Sequence, residues 1–518
     1  MTELLITIYW LTLILLSVYG FLGLLTLAFY WRHRHVTHPL PVVETADLPP
    51  VTIQLPIFNE RYVIDRLLHA ATSLDYPRDR LQIQVIDDST DDTTQRAAEL
   101  VDQYRAQGFD IELRHRTNRQ GYKAGALADA MLYATGEFLA LFDADFCPDP
   151  SFLQRTVPHF LRDGQLGMVQ TRWGHYNHDQ SWLTAAQAIA LDKHFAMEQT
   201  VRHRGHLFPK FNGAGGVWRR RCLEDAGGWQ DDTVCEDLCL STRAILRGWQ
   251  FRFLNDVVTP AELPSTITAY KSQQARWSKG SLQCLFKYGR AILTAKEQSW
   301  VARLYAVLAM SGYLAQFLAL ILLLLQIPLI LNGYTFSRYM LIFSVAAVAQ
   351  PLLFVMSQYV LYPNWRRRLH YLPALLIVAL GTGPNNTRSI LQIFWQRHHV
   401  FVRTPKGMGV NGRFAQVNGR FAQANAHLNT AGVNGPSING HSANGHYANG
   451  QTPQQAHRFH YRYTFDWIIA VEILLALYAA VGIGLALWQQ TYGPIFFLAS
   501  CLIGFGYVAY LGLREVTA

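Results

Sequence analysis

Two stretches with almost no charge bracket this chain, and they limit its fold more than any other feature. Leu4 to Tyr30 is apolar and nearly free of charge. At ~1.5 Å per residue it is long enough to cross a bilayer. Apolar runs return after Trp300 and recur, separated by basic and Asn/Gly-rich segments, to Leu513. Such a chain has its ends in lipid and its middle in water. Composition agrees: 16% of the 518 residues are charged, against about 25% in a typical soluble protein.

The formal net charge is +9, which suits nucleic acid, a membrane surface or an anionic substrate. Many of the basic residues flank the apolar runs, so membrane topology is the simpler account and no nucleic-acid partner is expected. Six cysteines (Cys147, Cys222, Cys235, Cys239, Cys284 and Cys501) form no CxxC pair. Neither a zinc site nor a disulfide framework is expected, only reduced thiols.

Trp31-Arg-His-Arg-His follows the first apolar run, and no small-residue cleavage site separates them. Residues 1–31 therefore read as an uncleaved first span with its C-terminal end in the cytoplasm. Within 301–363, Ala309–Leu331 and Tyr339–Leu361 read as a hairpin of two spans, and Arg366-Arg-Arg marks its cytoplasmic side. Tyr371–Leu380 is short, runs into a Gly- and Asn-rich stretch and has basic residues on both sides. Residues 364–406 are thus expected to be interfacial or re-entrant; a sixth span is the competing reading and reverses the side of the C-terminus. Residues 407–460 contain no acidic residue and repeat NGRFAQ at 411–416 and 418–423. A flexible Asn/Gly-rich insertion is expected there. Two further spans, within 464–513, close the chain.

Between Pro49 and about Trp300 the texture changes. Short β-rich runs at 51–58, 81–87, 110–115 and 137–145 alternate with helical patterns such as Thr93–Gln107 and Lys123–Ala134. This alternation predicts a mostly parallel, Rossmann-like α/β sheet with helices on both faces, over 49–300. Ligands in such sheets bind beyond the carboxyl ends of the strands.

Acidic residues cluster at those ends. Asp87-Asp88 closes the second run and Asp143-Ala-Asp145 the fourth. Each alone reads as a turn or a helix cap. An Asp-x-Asp on an extended end can bring two carboxylates to one Mg²⁺ or Mn²⁺, which prefers oxygen ligands and bridges to phosphates, and the position of the two clusters at successive strand ends favours a shared site. Lys123, in GYKAGAL, can add a positive charge near a diphosphate; an ordinary solvated lysine at a helix start explains it equally well. Phe211-Asn-Gly-Ala-Gly-Gly216 allows close backbone approach to a ligand, but it fits neither a Walker loop nor a dinucleotide fingerprint. Glu236-Asp237 heads a helix-like segment, Val234–Trp249, where a carboxylate is favoured in its charged form and can take a proton from a sugar hydroxyl. Last comes Gln273-Gln-Ala-Arg276-Trp277. Arg can clamp a phosphate and Trp can stack on a sugar face; by itself the segment is an amphipathic helix with an interfacial Trp.

Taken in order, between a first span and a cluster of later ones, this set resembles the membrane-embedded processive glycosyltransferases of family 2, the cellulose-synthase-like group. The likeness is strongest to the plant mannan and glucomannan synthases and their xyloglucan-backbone relatives. It rests also on FNGAGGVWR (211–219), EDLCLSTRAILRGW (236–249), AELPSTITAYKSQQARW (261–277) and FVRTPK (401–406). The resemblance implies a GT-A fold on the cytoplasmic face beside an α-helical transmembrane bundle. It implies that Asp87 and Asp88 bind the nucleotide and that Lys123 approaches the phosphates. Asp143 and Asp145 would hold a divalent cation, with Asp145 the more direct ligand. Asp237 would be the general base, with Glu236 in support. Gln273 and Arg276 would bind the diphosphate, and Trp277 the terminal acceptor sugar. Phe401, Thr404 and Lys406 would belong to a gating loop over the donor. The donor would be GDP-mannose or UDP-glucose, the acceptor a growing β-linked glycan and the setting a lipid bilayer, either a plasma or inner membrane or the Golgi. Cys235 departs from the pattern of cellulose synthases, which carry Thr there. Two other readings compete: glycosylation of a membrane lipid, as in ceramide glucosyltransferases, and a transporter or receptor with a degenerate catalytic domain.

Overall fold

The computed structural model describes residues 2–36, 38–334, 341–395 and 464–517. The stretch with Phe401, Thr404 and Lys406, and the insertion at 407–460, lie outside the described residues.

The middle of the chain forms a seven-stranded sheet of order β3-β2-β1-β4-β6-β5-β7. Its strands are β1 (Val51–Ile57), β2 (Leu81–Asp87), β3 (Asp110–His115), β4 (Phe138–Leu141), β5 (Leu166–His175), β6 (Gly216–Arg219) and β7 (Gln250–Ala261). β1, β2, β3 and β4 are parallel; β6 runs antiparallel between β4 and β5, and β7 is parallel to β5. The first four strands fall where the sequence predicts them. β5, β6 and β7 are additional.

β1 and β2 are almost wholly buried, as central parallel strands covered on both faces should be. Their polar side chains meet across the pair. Thr52 donates to Gln82 Oε1 at 2.7 Å and Gln54 to Gln84 Oε1 at 3.1 Å. Helices α2 (Ile64–Thr72), α3 (Thr93–Ala106) and α4 (Tyr122–Met131) connect the parallel strands. One core, with Ile53, Leu67, Phe138 and Phe152, fills one face; a second, with Leu127, Leu141, Trp218 and Leu240, fills the other.

The elements that position the site come later. α5 (Trp182–Lys193) runs into a π-helical turn, His194–Gln199. α6 (Glu236–Leu246) precedes β7, and α7 (Ile267–Thr294) follows it.

Among the described residues four helices are long and apolar enough to cross a membrane: Thr2–His33 (α1), Leu314–Leu331 (α8), Ile468–Trp488 (α11) and Ile495–Thr517 (α12). Leu341–Leu361 is a further apolar helix. Residues 371–395 do not form one long rod. They divide into α9 (Leu372–Gly381) and α10 (Gly383–Leu391), joined at Thr382. At ~1.5 Å per residue neither reaches across ~30 Å of hydrocarbon. Small residues let these helices touch: a Cβ on Gly381 would collide with the carbonyl oxygen of Gly504, a backbone approach typical of packed membrane helices.

Candidate active site

β2 and β3 lie on one side of β1 and β4 on the other, so the sheet's switch point falls between β1 and β4. A cavity of about 200 Å³ opens there, beyond the carboxyl ends of the strands, where such folds bind ligands. Its wall brings together Asp88, Lys123, Asp143, Asp145, Glu236, Asp237, Gln273, Arg276 and Trp277.

Asp87 is the exception: it is fully buried and off the cavity wall. Its carboxylate accepts from Ser89 N at 2.9 Å and Thr94 Oγ1 at 2.6 Å, and pairs with His115 Nδ1 at 2.8 Å. It holds the strand end. Its neighbour Asp88 faces the cavity, clamped by Arg116 Nε and Nη2 at 2.7 Å each.

Lys123, in the first turn of α4, donates to Asp143 Oδ1 at 2.5 Å and to the carbonyl oxygen of Gly213 at 3.0 Å. Burial works against its charge, but Asp143, Glu236 and Asp237 together hold the ammonium above its usual range. The Asp143 side chain is 37% exposed, whereas Asp145 is buried and accepts from Glu262 N at 3.0 Å. Exposure therefore favours Asp143 over Asp145 as the ligand-facing carboxylate, the reverse of the expected order. Among the described residues no group of three or more His, Cys, Asp or Glu side chains is assembled to hold a metal. Two carboxylates at a strand end nonetheless suit Mg²⁺ or Mn²⁺, which take one or two protein carboxylates and fill their other positions with water and phosphate oxygens.

Glu236 and Asp237 occupy the first turn of α6. Burial pushes both carboxyls above the usual range, but not equally. Lys210, the Leu238 N–H at 2.7 Å and Lys123 all favour charge on Asp237. Beside an ionised Asp237, Glu236 keeps its proton to about 7.

The Gly-rich loop serves this pair. Gly213 has φ +85°, and a Cβ there would lie 3.2 Å from Asp237 Oδ2. The loop lies against the Asp237 carboxylate. Gln273, Arg276 and Trp277, spaced i, i+3 and i+4, share one face of α7. The Cys235 thiol contacts the Arg276 carbonyl oxygen at 3.8 Å. A Cβ on Gly280 would collide with Cys235 Sγ, so the Cys235 side chain, just before α6, packs directly onto the backbone of α7.

A second cavity, of about 780 Å³, lies between this domain and the apolar helices. Asp237, Asn212, Gln273 and Trp277 line both cavities. Its further wall includes Gly20 and Gly23 of α1 together with Tyr270, Tyr305, Tyr313 and Gln316.

Several wall residues were not singled out from the sequence. Lys210 lines the second cavity, and burial, then Arg202, lowers its ammonium to about 8. His175 is buried at the end of β5; its ring nitrogens make no hydrogen bond among the described residues, and burial lowers it to about 4. Arg119 lies over the Phe58 ring, 3.4 Å from its centroid. Glu262, which fixes Asp145 through its backbone N–H, sits in the AELPS segment directly after β7, a strand that the sequence does not mark.

Residues 49–280 match the family model described as glycosyltransferase like family 2. Glucomannan 4-beta-mannosyltransferase 2 of Arabidopsis thaliana is 41% identical over 267 residues, covering 51% of this chain and 50% of that one. Glucomannan 4-beta-mannosyltransferase 9 of the same plant is 44% identical over 252 residues, covering 48% and 47%. The chain spans about half the length of the curated relatives it matches. Among solved structures, a mannosyltransferase from Pyrobaculum calidifontis in complex with GDP-Man and Mn²⁺ aligns with a TM-score of 0.52 at 21% identity, over 74% of this chain and 98% of that one. At that identity the likeness is one of fold.

Proposed function

With residues 49–280 a domain of glycosyltransferase family 2, we propose that the chain transfers a hexose from GDP-mannose or UDP-glucose to the end of a β-linked glycan, inverting the anomeric carbon. The observation that carries this reading is the shared wall: Asp237 and Trp277 border both the strand-end cavity and the cavity among the apolar helices. A donor in the first and an acceptor in the second meet at that wall.

The roles follow from position. Asp237 takes the proton of the acceptor hydroxyl as that oxygen attacks the anomeric carbon. One displacement needs one base, unlike the carboxylate pair of glycoside hydrolases. Trp277 stacks on the terminal acceptor sugar, and Gln273 donates to the diphosphate. Arg276 and Lys123 take up charge on the diphosphate, and Asp88 lies toward the nucleotide. Asp143 and Asp145 would hold a divalent cation, which when bound neutralises the leaving diphosphate.

A polymer product is favoured over a single sugar on a lipid by the size and lining of the second cavity. It is walled by Tyr270, Tyr305 and Tyr313 as well as by α1. A glycan leaving through a membrane needs such a protein-lined route, because its hydroxyls are costly in lipid. The catalytic domain then faces the cytoplasm, and the spans cross the bilayer. Mannose is the first sugar to test, on the strength of the names of the plant relatives.

Incubation of the purified chain in lipid nanodiscs with radiolabelled GDP-mannose and UDP-glucose, followed by sizing of the product, tests this reading. Label in a polymer cut by a β-mannanase or β-glucanase is expected. Label confined to one sugar on extracted lipid would sink the polymer reading.

A further inference from the structure

The helix that carries Gln273, Arg276 and Trp277 is held at its start by the far end of the chain. α7 begins at Ile267, and its first amide donors need acceptors, as at any helix N-terminus. Thr266 Oγ1 accepts from Ala269 N at 3.3 Å. The other two go to one carboxylate in the last turns of α12: Glu515 accepts from Ile267 N at 2.6 Å and Thr268 N at 3.0 Å.

One turn further on, Lys271 is fixed at both of its ends. Its ammonium donates to both oxygens of Glu472 in α11, at 2.7 and 3.0 Å, and both side chains are buried. Its carbonyl oxygen accepts from Asn385 Nδ2 at 2.8 Å. Asn385 is held in turn by Arg388, which donates to Asn385 Oδ1 at 3.0 Å and pairs with Asp466 at 2.7 Å. A carboxylate inside a membrane helix is expensive and is rarely kept without a purpose. Here the ion pair ends two residues before Gln273. A helix fixed at 267, 268 and 271 has its rotation and height set before it reaches the cavity.

We infer that Glu515 and Glu472 are positioning residues for the acceptor-binding face of α7, so that the last two spans take part in sugar transfer rather than serving only as anchors. The inference rests on the roles proposed above for Gln273, Arg276 and Trp277. Neither glutamate lines either cavity, so both act through the helix.

The test uses the full chain in nanodiscs and has two arms. In the first, hydrogen–deuterium exchange is followed over 267–271 and, as a control, over 236–246. Glu515→Gln should speed exchange over 267–271 by about fivefold or more, the scale of a lost helix cap, and leave 236–246 unchanged. In the second arm, transfer to β-linked mannohexaose is measured. Glu515→Gln should raise the acceptor KM about fivefold with kcat little changed, and Glu515→Asp should restore much of the loss. Glu472→Gln breaks a buried pair and puts the fold at risk, so Glu515 carries the decision. Unchanged exchange over 267–271 would overturn the inference, as would parallel loss of kcat and KM with faster exchange everywhere. If the wild-type chain transfers no sugar, the proposed function fails and the exchange arm still decides the positioning.

Discussion

Lys123 donates to Asp143 Oδ1 at 2.5 Å, and so ties the helix after β3 to the acidic segment after β4. The same ammonium holds the Gly213 carbonyl oxygen at 3.0 Å. One lysine thus joins the Asp-x-Asp segment to the loop that lies against Asp237. Lys123→Met should remove about 1.5–3 kcal/mol of charge-assisted hydrogen bonding. Steady-state kinetics should show this as a fall of about 10- to 100-fold in kcat/KM for the donor. A fall below about twofold would mean that the lysine is only structural.

The pH profile follows from the buried carboxyl pair. A general base works only when deprotonated, and burial raises Asp237 above the ordinary carboxylate range. Transfer should therefore fall along an acid limb that lies above the ordinary carboxylate range and recover as pH rises. Lys210 favours the charged form of Asp237, so Lys210→Met should move the acid limb of kcat to higher pH. A shift to lower pH would contradict the assignment.

Gly213 tests the contact between loop and base. At φ +85° an alanine costs about 1–2 kcal/mol in backbone strain, and its Cβ would press on Asp237 Oδ2. Gly213→Ala should lower kcat while changing thermal stability by only a few degrees, about what that cost implies. Parallel activity and melting assays decide it. Wild-type kcat would mean that the loop does not constrain the base.

Chelation tests the carboxylates of the Asp-x-Asp segment. EDTA should abolish transfer and Mn²⁺ or Mg²⁺ should restore it, while Ca²⁺, which takes more ligands at longer distances, should restore it less well. Asp143→Asn should raise the Mn²⁺ concentration needed for half-maximal activity. Full activity in EDTA would remove the metal from the account.

Much of this architecture was legible in advance. β1 to β4 could be read because short β-rich runs alternate with helical ones, and β1 and β2 carry their polar residues in step. β6 could not: it has four residues and enters the sheet antiparallel between β4 and β5, an order no local pattern encodes. The site divides the same way. The acidic clusters could be placed at strand ends, but not the separate duties of Asp87 and Asp88. Successive strand residues point to opposite faces, and only the finished sheet decides which of them meets the cavity. The FNGAGG loop looked like a ligand cradle because its glycines allow close approach; that they also approach Asp237 depends on α6, which lies more than twenty residues further along the chain. The two glutamates that hold α7 sit in apolar helices more than two hundred residues away, beyond the reach of any spacing rule.

The most direct test of the account is the initial rate of label transfer from radiolabelled GDP-mannose or UDP-glucose, whichever the wild type uses, into glycan by Asp237→Asn beside the wild type. Removing a general base should slow transfer by about 10²- to 10⁴-fold, with nucleotide binding preserved. Transfer by the asparagine variant at the wild-type rate would contradict the assignment of Asp237 as the base, and with it the proposed mechanism.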